Sequence, residues 1–260
     1  VEITVKGIDS GKVALDANGV AVNATLDNGK AKFTLDNVRE WSPDDPYLYR
    51  FTVEGEGDFV ESYFAARRVS IEERNGRKLI CLNSKPIFLH GLLDQGYFSD
   101  GIYTPATPAL YAEDIAKMKE LGFNTIRKHI KVEPARWYYH CDRLGMLVWQ
   151  DMVSGGKALN TFHAGVLPNV QGVLNPIINL SKKDNAYKTF NRDRIEWRTQ
   201  FEEELYEMID SLYNYPSICC WVPFNEGWGQ FDARKACEMI WRMDQTRTID
   251  HASGWHDQYF

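Results

Sequence analysis

Ile218-Cys219-Cys220-Trp221-Val222-Pro223-Phe224 runs straight into Asn225-Glu226-Gly227-Trp228. An uninterrupted apolar run of this length is that of a strand buried on both faces, the setting of a parallel sheet covered by helices. Downstream, Asp232 is placed to cap a helix with Ala236, Ile240 and Met243 facing inward, and Thr246 to Ala252 reads as another strand. Upstream, a longer helix carries Trp197, Phe201, Leu205, Met208 and Leu212 at helical steps. Before it lie a strand from Met146 to Gln150, a helix opened by Pro134 and closed by Gly145 with Trp137, Cys141 and Leu144 on one face, and a strand from Phe123 to Arg127. A further helix is capped by Thr107, carries Pro108 in its first turn and the stripe Tyr111, Ile115, Met118, and leaves at Gly122. Lys78–Leu82 and Pro86–Gly91 read as a hairpin leading into a first buried strand.

Strand and helix thus alternate five times, which predicts a parallel sheet. A doubly wound sheet and a β/α barrel both satisfy the pattern. No glycine-rich phosphate loop follows any strand, which argues against the nucleotide-binding version. A barrel needs eight units, and five are present. Residues 160–193 form a long irregular insertion after the third strand, on the side where barrels keep their active sites.

Residues 1–71 have a different period. Glu2–Lys6, Val20–Ala24 and Lys30–Leu35 alternate apolar and polar, the mark of strands with one face buried. Asp16-Ala17-Asn18-Gly19 and Asp27-Asn28-Gly29 supply hairpin turns, and Tyr47–Val53 and Phe59–Val69 continue the series. Short strands with frequent turns predict a small all-β sandwich. The domains are therefore expected to be 1–71, a β-sandwich, and 72–260, an α/β unit.

An apolar fraction of 44% and a charged fraction of 25% fit a folded core and exclude disorder. A formal charge of −6 with no basic run argues against nucleic acid, and no stretch is long and apolar enough to span a membrane. The cysteines, Cys81, Cys141, Cys219, Cys220 and Cys237, fit neither a disulfide framework nor a zinc site and read as free thiols. The many aromatic residues suit either a core or a cleft lined with flat rings for sugars.

A carboxyl group placed where an apolar strand stops is a candidate general acid, because barrel chemistry sits at the C-terminal strand ends. Pairing with a nearby arginine is the bland reading of Glu226. Other strand ends carry polar residues too: Asp94 and Gln95 after the first strand, Arg127, Lys128 and His129 at the second, Gln150 and Asp151 at the third, and Trp255, His256 and Asp257 after the fifth. Each singly has a structural explanation; their recurrence at the same end favours a site.

Trp41-Ser42-Pro43-Asp44-Asp45-Pro46-Tyr47-Leu48-Tyr49, Phe64-Ala65-Ala66-Arg67 and Leu82-Asn83-Ser84-Lys85-Pro86-Ile87-Phe88-Leu89-His90-Gly91 resemble, in order, the sandwich and the barrel-opening hairpin of glycoside hydrolase family 2. Gly122–Arg127, Tyr139–Met146 and Tyr215-Pro216-Ser217-Ile218 with Trp221, Asn225 and Glu226 resemble the family's second, third and acid/base strands. The resemblance covers essentially the whole chain. It implies an immunoglobulin-like sandwich followed by a truncated (β/α)8 TIM barrel, and a retaining β-glycosidase of β-galactosidase type acting on an oligosaccharide or β-glycoside, with no cofactor or metal. It implies Glu226 as acid/base, Asn225 as ligand of the sugar 2-hydroxyl and Arg127 as the group that positions the nucleophile. Asp151 matches a position where some galactosidases place an acidic residue. His129, Asp94, Gln95, Trp228, Trp255 and His256 are expected to contact sugar. The family's nucleophile is a glutamate on the seventh strand, so it is expected beyond Phe260, and a domain is expected before Val1. The compartment is open, with a bacterial-type cytoplasm or periplasm expected, as is the oligomeric state. A non-catalytic carbohydrate-binding fragment is the alternative. A metal-dependent barrel hydrolase is disfavoured, since only His90 stands where a His-x-His pair is needed.

Overall fold

The computed structural model describes residues 1–17, 19–157, 183–254 and 256–258, with the isolated positions Phe162, Val166 and Val170. Two compact units divide it, Val1–Arg67 and Arg68–Phe260.

In the first unit, β1 (Glu2–Thr4), β2 (Ser10–Ala17), β3 (Val20–Asp27), β4 (Lys30–Lys32), β5 (Tyr49–Gly55) and β6 (Asp58–Phe64) pair in the order β1-β4-β3-β2-β5-β6. All ladders are antiparallel. Alternation selects the core: Val13 and Leu15 of β2, Leu26 of β3, Ala31 of β4 and Val53 of β5 are buried together with Ile3, Phe33 and Tyr49. Asn28 and Gly29 both take positive φ, 48° and 71°, as the tight β3–β4 turn requires. Tyr49 stacks on Phe64 at 5.1 Å and its hydroxyl accepts the Arg39 N–H at 2.7 Å, pinning the long β4–β5 connection.

The second unit opens with a small antiparallel sheet of β7 (Val69–Arg74), β8 (Arg77–Leu82) and β9 (Lys85–Pro86). Five parallel strands follow in sequential order: β10 (Gly91–Asp94), β11 (Thr125–Lys128), β12 (Leu147–Asp151), β13 (Ile218–Val222) and β14 (Thr248–Ile249). Between them run α1 (Ala109–Glu120), α2 (Ala135–Leu144), α3 (Ile195–Leu212) and α4 (Ala233–Met243). One core joins sheet to helices, with Ile126, Val148, Ile218 and Trp221 from strands and Ile115, Trp137, Leu205, Ile209 and Ile240 from helices.

Several local expectations are corrected. Pro108, not Thr107, occupies the N-cap of α1. Asp232 holds the N-cap of α4 at φ 41° but makes no capping bond; its carboxylate instead accepts the Tyr187 hydroxyl at 2.8 Å. The first-turn N–H of Ala233 is satisfied by Asp184 at 2.7 Å, a cap delivered from the preceding connection. The first barrel strand is not buried: Leu93 is 55% exposed, because β10 lies at the edge of the described sheet. The fifth strand is two residues long rather than Thr246–Ala252; just before it the Arg247 guanidinium makes five hydrogen bonds, with Ile218 O, Asp244, Thr246, Tyr213 O and Tyr215 O.

That arginine fastens α4 to β13. Its ion pair with Asp244, 2.6 Å long, is buried on both sides, and Trp221 Nε1 donates to the same carboxylate at 2.8 Å. Arg247→Met is expected to cost about 3–5 kcal/mol, because it strands a buried charge and three carbonyls. Burial alone would raise the Asp244 carboxyl, but Arg247, Trp221 and Thr246 outweigh it and hold it below its ordinary value. A depressed folded-state value gives stability that is present above the unfolded value of about 4 and is lost as pH falls through the folded one. Urea denaturation of full-length wild-type and Asp244→Asn protein should therefore differ most at neutral pH and converge in acid.

Candidate active site

Register decides which side chains can meet. Leu93, Arg127, Trp149 and Cys220 lie side by side across β10 to β13, and Asp94, Lys128, Gln150 and Trp221 form the neighbouring row. Laterally paired residues of parallel strands share a face, and successive residues alternate. The Lys128 row faces the helices: its ammonium lies 4.4 Å over the Trp137 ring of α2, Gln150 accepts the Tyr138 hydroxyl of α2 at 2.7 Å, and Trp221 reaches Asp244 beyond α4. Arg127 and Asp151 lie on the opposite face.

On that face Arg127 binds Asp151 through two parallel bonds, Nε to Oδ1 at 2.9 Å and Nη2 to Oδ2 at 3.0 Å. Nη2 also donates to Asn225 Oδ1 at 2.8 Å, and Nη1 donates to Ser253 Oγ. One guanidinium thus joins the ends of β11, β12 and β13 and the turn after β14. Asp151 is fully buried; burial pushes its carboxyl up, and the bonds and charge of Arg127 and the Ile130 N–H oppose that rise. Because arginine only donates, the Asn225 amide orientation is fixed, with Nδ2 left to donate elsewhere.

Glu226 follows immediately. It is half-buried and has φ 51°, so the chain turns sharply as the strand ends. Its N–H donates to Ala252 O at 3.1 Å, Trp228 N–H to Asn225 O at 2.9 Å, and Gln230 N–H to Gly227 O at 3.3 Å. Gly227 (φ 73°) and Gly229 (φ 62°) are needed for more than backbone freedom. A Cβ on Gly227 would collide with the His256 ring, and one on Gly229 would lie 2.5 Å from Gly155 O.

The remaining sequence-predicted residues divide. His256 is buried against this turn, its ring edge-on to Phe190 at 5.1 Å and its carbonyl accepting Gln230 Nε2 at 3.0 Å. Trp228 is half-buried two residues beyond Glu226. His129 is half-buried and its N–H donates to Asp94 O at 2.9 Å. Gln95 is exposed. Trp255 lies outside the described residues. Asp94 is not brought to the Arg127 group: it is on the helix-facing row, ion-paired to Lys128 at 2.6 Å. Lys128 also pairs with Glu133 at 2.8 Å, and Lys131 with Glu133 at 2.9 Å, forming a buried four-charge cluster. Ser253 was not singled out from sequence; nothing local marks it, and its bond to Arg127 spans 126 residues. Among the described residues, no group of three or more His, Cys, Asp or Glu is arranged to hold a metal.

Polar side chains gathered at the C-terminal ends of consecutive parallel strands are the arrangement of a β/α-barrel enzyme site. The family model described as "Glycosyl hydrolases family 2, TIM barrel domain" matches residues 72–260, and that described as "Glycosyl hydrolases family 2" matches residues 1–67. The chain belongs to glycosyl hydrolase family 2. It is 27% identical over 248 residues to a β-galactosidase of Oenococcus oeni, covering 92% of this chain and 21% of that protein. It is 24% identical over 195 residues to a β-glucuronidase of Bacteroides fragilis, covering 74% of this chain and 24% of the relative. In fold it is similar to the β-D-glucuronidase of Dictyoglomus thermophilum (TM-score 0.71, 19% identity, 95% of this chain and 40% of that one). It is likewise similar to β-glucuronidase 3 of Bacteroides uniformis (TM-score 0.68, 20% identity, 95% and 30%). The chain spans 21% of the length of the first two curated relatives it matches.

Proposed function

We propose that this chain carries the acid/base side of a retaining β-glycosidase site that hydrolyses O-glycosyl bonds of β-galactoside-type substrates. The observation that carries the reading is the placement of Glu226: a carboxyl on a sharp turn at the end of β13, next to an amide locked by the Arg127–Asp151 pair. Glu226 donates its proton to the glycosidic oxygen as the bond to the leaving group breaks. A glutamate outside residues 1–260 attacks the anomeric carbon from the other face. Glu226, now a carboxylate, then takes a proton from the water that releases the sugar. Asn225 Nδ2, the free end of the fixed amide, donates to the sugar 2-hydroxyl. Arg127 holds Asn225 and Asp151 in register and presents a positive edge to the nucleophile. His129, Trp228 and His256 border the sugar, and Trp255 joins them in the proposal. The pairing of Asp94 with Lys128 gives it a structural task instead.

Proton NMR of an aryl β-glycoside during hydrolysis by the full-length gene product is the test. The first sugar product should be the β-anomer, which then mutarotates. The α-anomer as first product would rule out retention. Binding of the glycoside without turnover would favour a carbohydrate-binding protein.

A further inference from the structure

Arg192 is an arginine with only 2% of its surface exposed, in the connection before α3. Its Nε donates to Gly229 O at 2.7 Å, and its Nη1 donates to Trp197 O, in the first turn of α3, at 3.1 Å. The guanidinium lies 5.0 Å from the Phe201 ring centre and 5.3 Å from that of Phe231. Gly155 packs against the same group, where a Cβ would sit 3.3 Å from both Nη1 and Nη2. Burial lowers its proton affinity to about 10, opposed by Glu204, so it stays charged at neutral pH. Taking such a charge out of water is costly, and here two carbonyls and two ring faces offset part of that cost, while Nη2 has no hydrogen-bond partner among the described residues. What it grips is the turn of Glu226. Besides its internal bonds and the Arg127 bond to Asn225 just before it, the described residues fasten residues 226–230 of that turn through Glu226 N–H on Ala252 O, Gln230 Nε2 on His256 O, and Gly229 O on Arg192. Of these, the Arg192 bond is charge-assisted and connects the turn to α3.

We infer that Arg192 is a positioning residue for the acid/base: by holding Gly229 O it sets where the Glu226 carboxyl stands relative to the leaving oxygen. The inference rests on the reading of Glu226 as acid/base. A proton donor misplaced by about 1 Å can cost about 10²-fold in rate, and only for leaving groups that need the proton. A role in general stability would depress all substrates alike.

The test is a series of aryl β-glycosides with leaving groups from dinitrophenol to phenol, assayed with the full-length protein as wild type, Arg192→Met, Arg192→Lys and Glu226→Gln. Methionine keeps the packing between Phe201 and Phe231 and removes every donor. Lysine keeps the charge but has a single nitrogen, which cannot reproduce the fork to Gly229 O and Trp197 O. For Arg192→Met, kcat/KM should fall about 10–100-fold on phenyl glycosides and less than about 3-fold on dinitrophenyl glycosides, with KM little changed. Arg192→Lys should show the same slope at smaller amplitude, and it decides the matter if the methionine variant does not fold. Equal losses across the series, or wild-type behaviour of Arg192→Lys, overturn the positioning role while Glu226→Gln still shows its steep dependence. A flat profile for Glu226→Gln itself removes the acid/base reading, and this inference with it.

Discussion

Glu226→Gln in the full-length protein is expected to lose about 10²–10⁴-fold in kcat/KM on glycosides with poor leaving groups. Its loss on dinitrophenyl glycosides should be far smaller. The amide fills the same space on the same left-handed turn, so the Ala252 bond and the Arg127–Asn225 contact should persist. What disappears is the transferable proton. A dinitrophenolate departs without one, so formation of the glycosyl-enzyme proceeds. Its hydrolysis still needs a base, and kcat should therefore fall on every substrate while kcat/KM falls selectively. Steady-state kinetics over a leaving-group series checks this. A uniform loss in kcat/KM would mean that Glu226 contributes binding or structure and that proton transfer belongs to another group.

The 260-residue chain by itself should show no turnover of activated β-glycosides. Retention needs two carboxyl groups about 5–5.5 Å apart, on opposite sides of the anomeric carbon. Asp151 has both oxygens on Arg127, while Asp94 and Glu133 are bound to lysines on the helix side of the sheet. Residues 158–182 contain no Asp or Glu. Moreover β10 and β14 are the two edges of the five-stranded sheet among the described residues, and open edges hold a site poorly. The check is an assay of the purified chain, with its circular dichroism recorded to establish folding. Activity that vanishes in Glu226→Gln would place a nucleophile within these residues.

The alternation of strand and helix was legible because both signals are local. A buried parallel strand is a short apolar run, and α2 shows its start at Pro134 and its stop at Gly145, where φ is 74°. Strand ends were less legible, since they depend on partners distant in sequence. Arg247, one residue before β14, is held by carbonyls of residues 213, 215 and 218, far from it in sequence. The candidate site was legible as a set of strand ends, but not as a set of faces. Asp94 ends β10 and Arg127 stands one residue before the end of β11, and the register Asp94↔Lys128 turns Asp94 toward the helices. A shift of one residue reverses that outcome, and no property of residues 91–94 taken alone reveals it. Ser253 and Arg192 escaped notice for a related reason. Their partners are chosen by backbone carbonyls and hydroxyls, which every stretch of sequence possesses.

The cluster of Lys128, Lys131, Asp94 and Glu133 bears on how this protein can diverge. Two positive and two negative groups cancel: Lys128 and Glu133 have fully buried side chains, Lys131 is 4% exposed there, and Asp94 closes the group at its wetter end, 21% exposed. Lys131 also bonds Gly96 O and Tyr103 O at 2.6 Å each, so the loop after β10 is secured by the same charges. Loss of Glu133 strands two buried lysines, at about 3–5 kcal/mol, a large part of a typical domain's stability, whereas loss of the more exposed Asp94 leaves Lys128 paired to Glu133. Single substitutions at the buried members, Lys128, Lys131 and Glu133, are therefore costly. Replacing the quartet with apolar residues costs least when the changes on β10, β11 and the segment leading to α2 are made together, so the four charges behave as one unit under substitution.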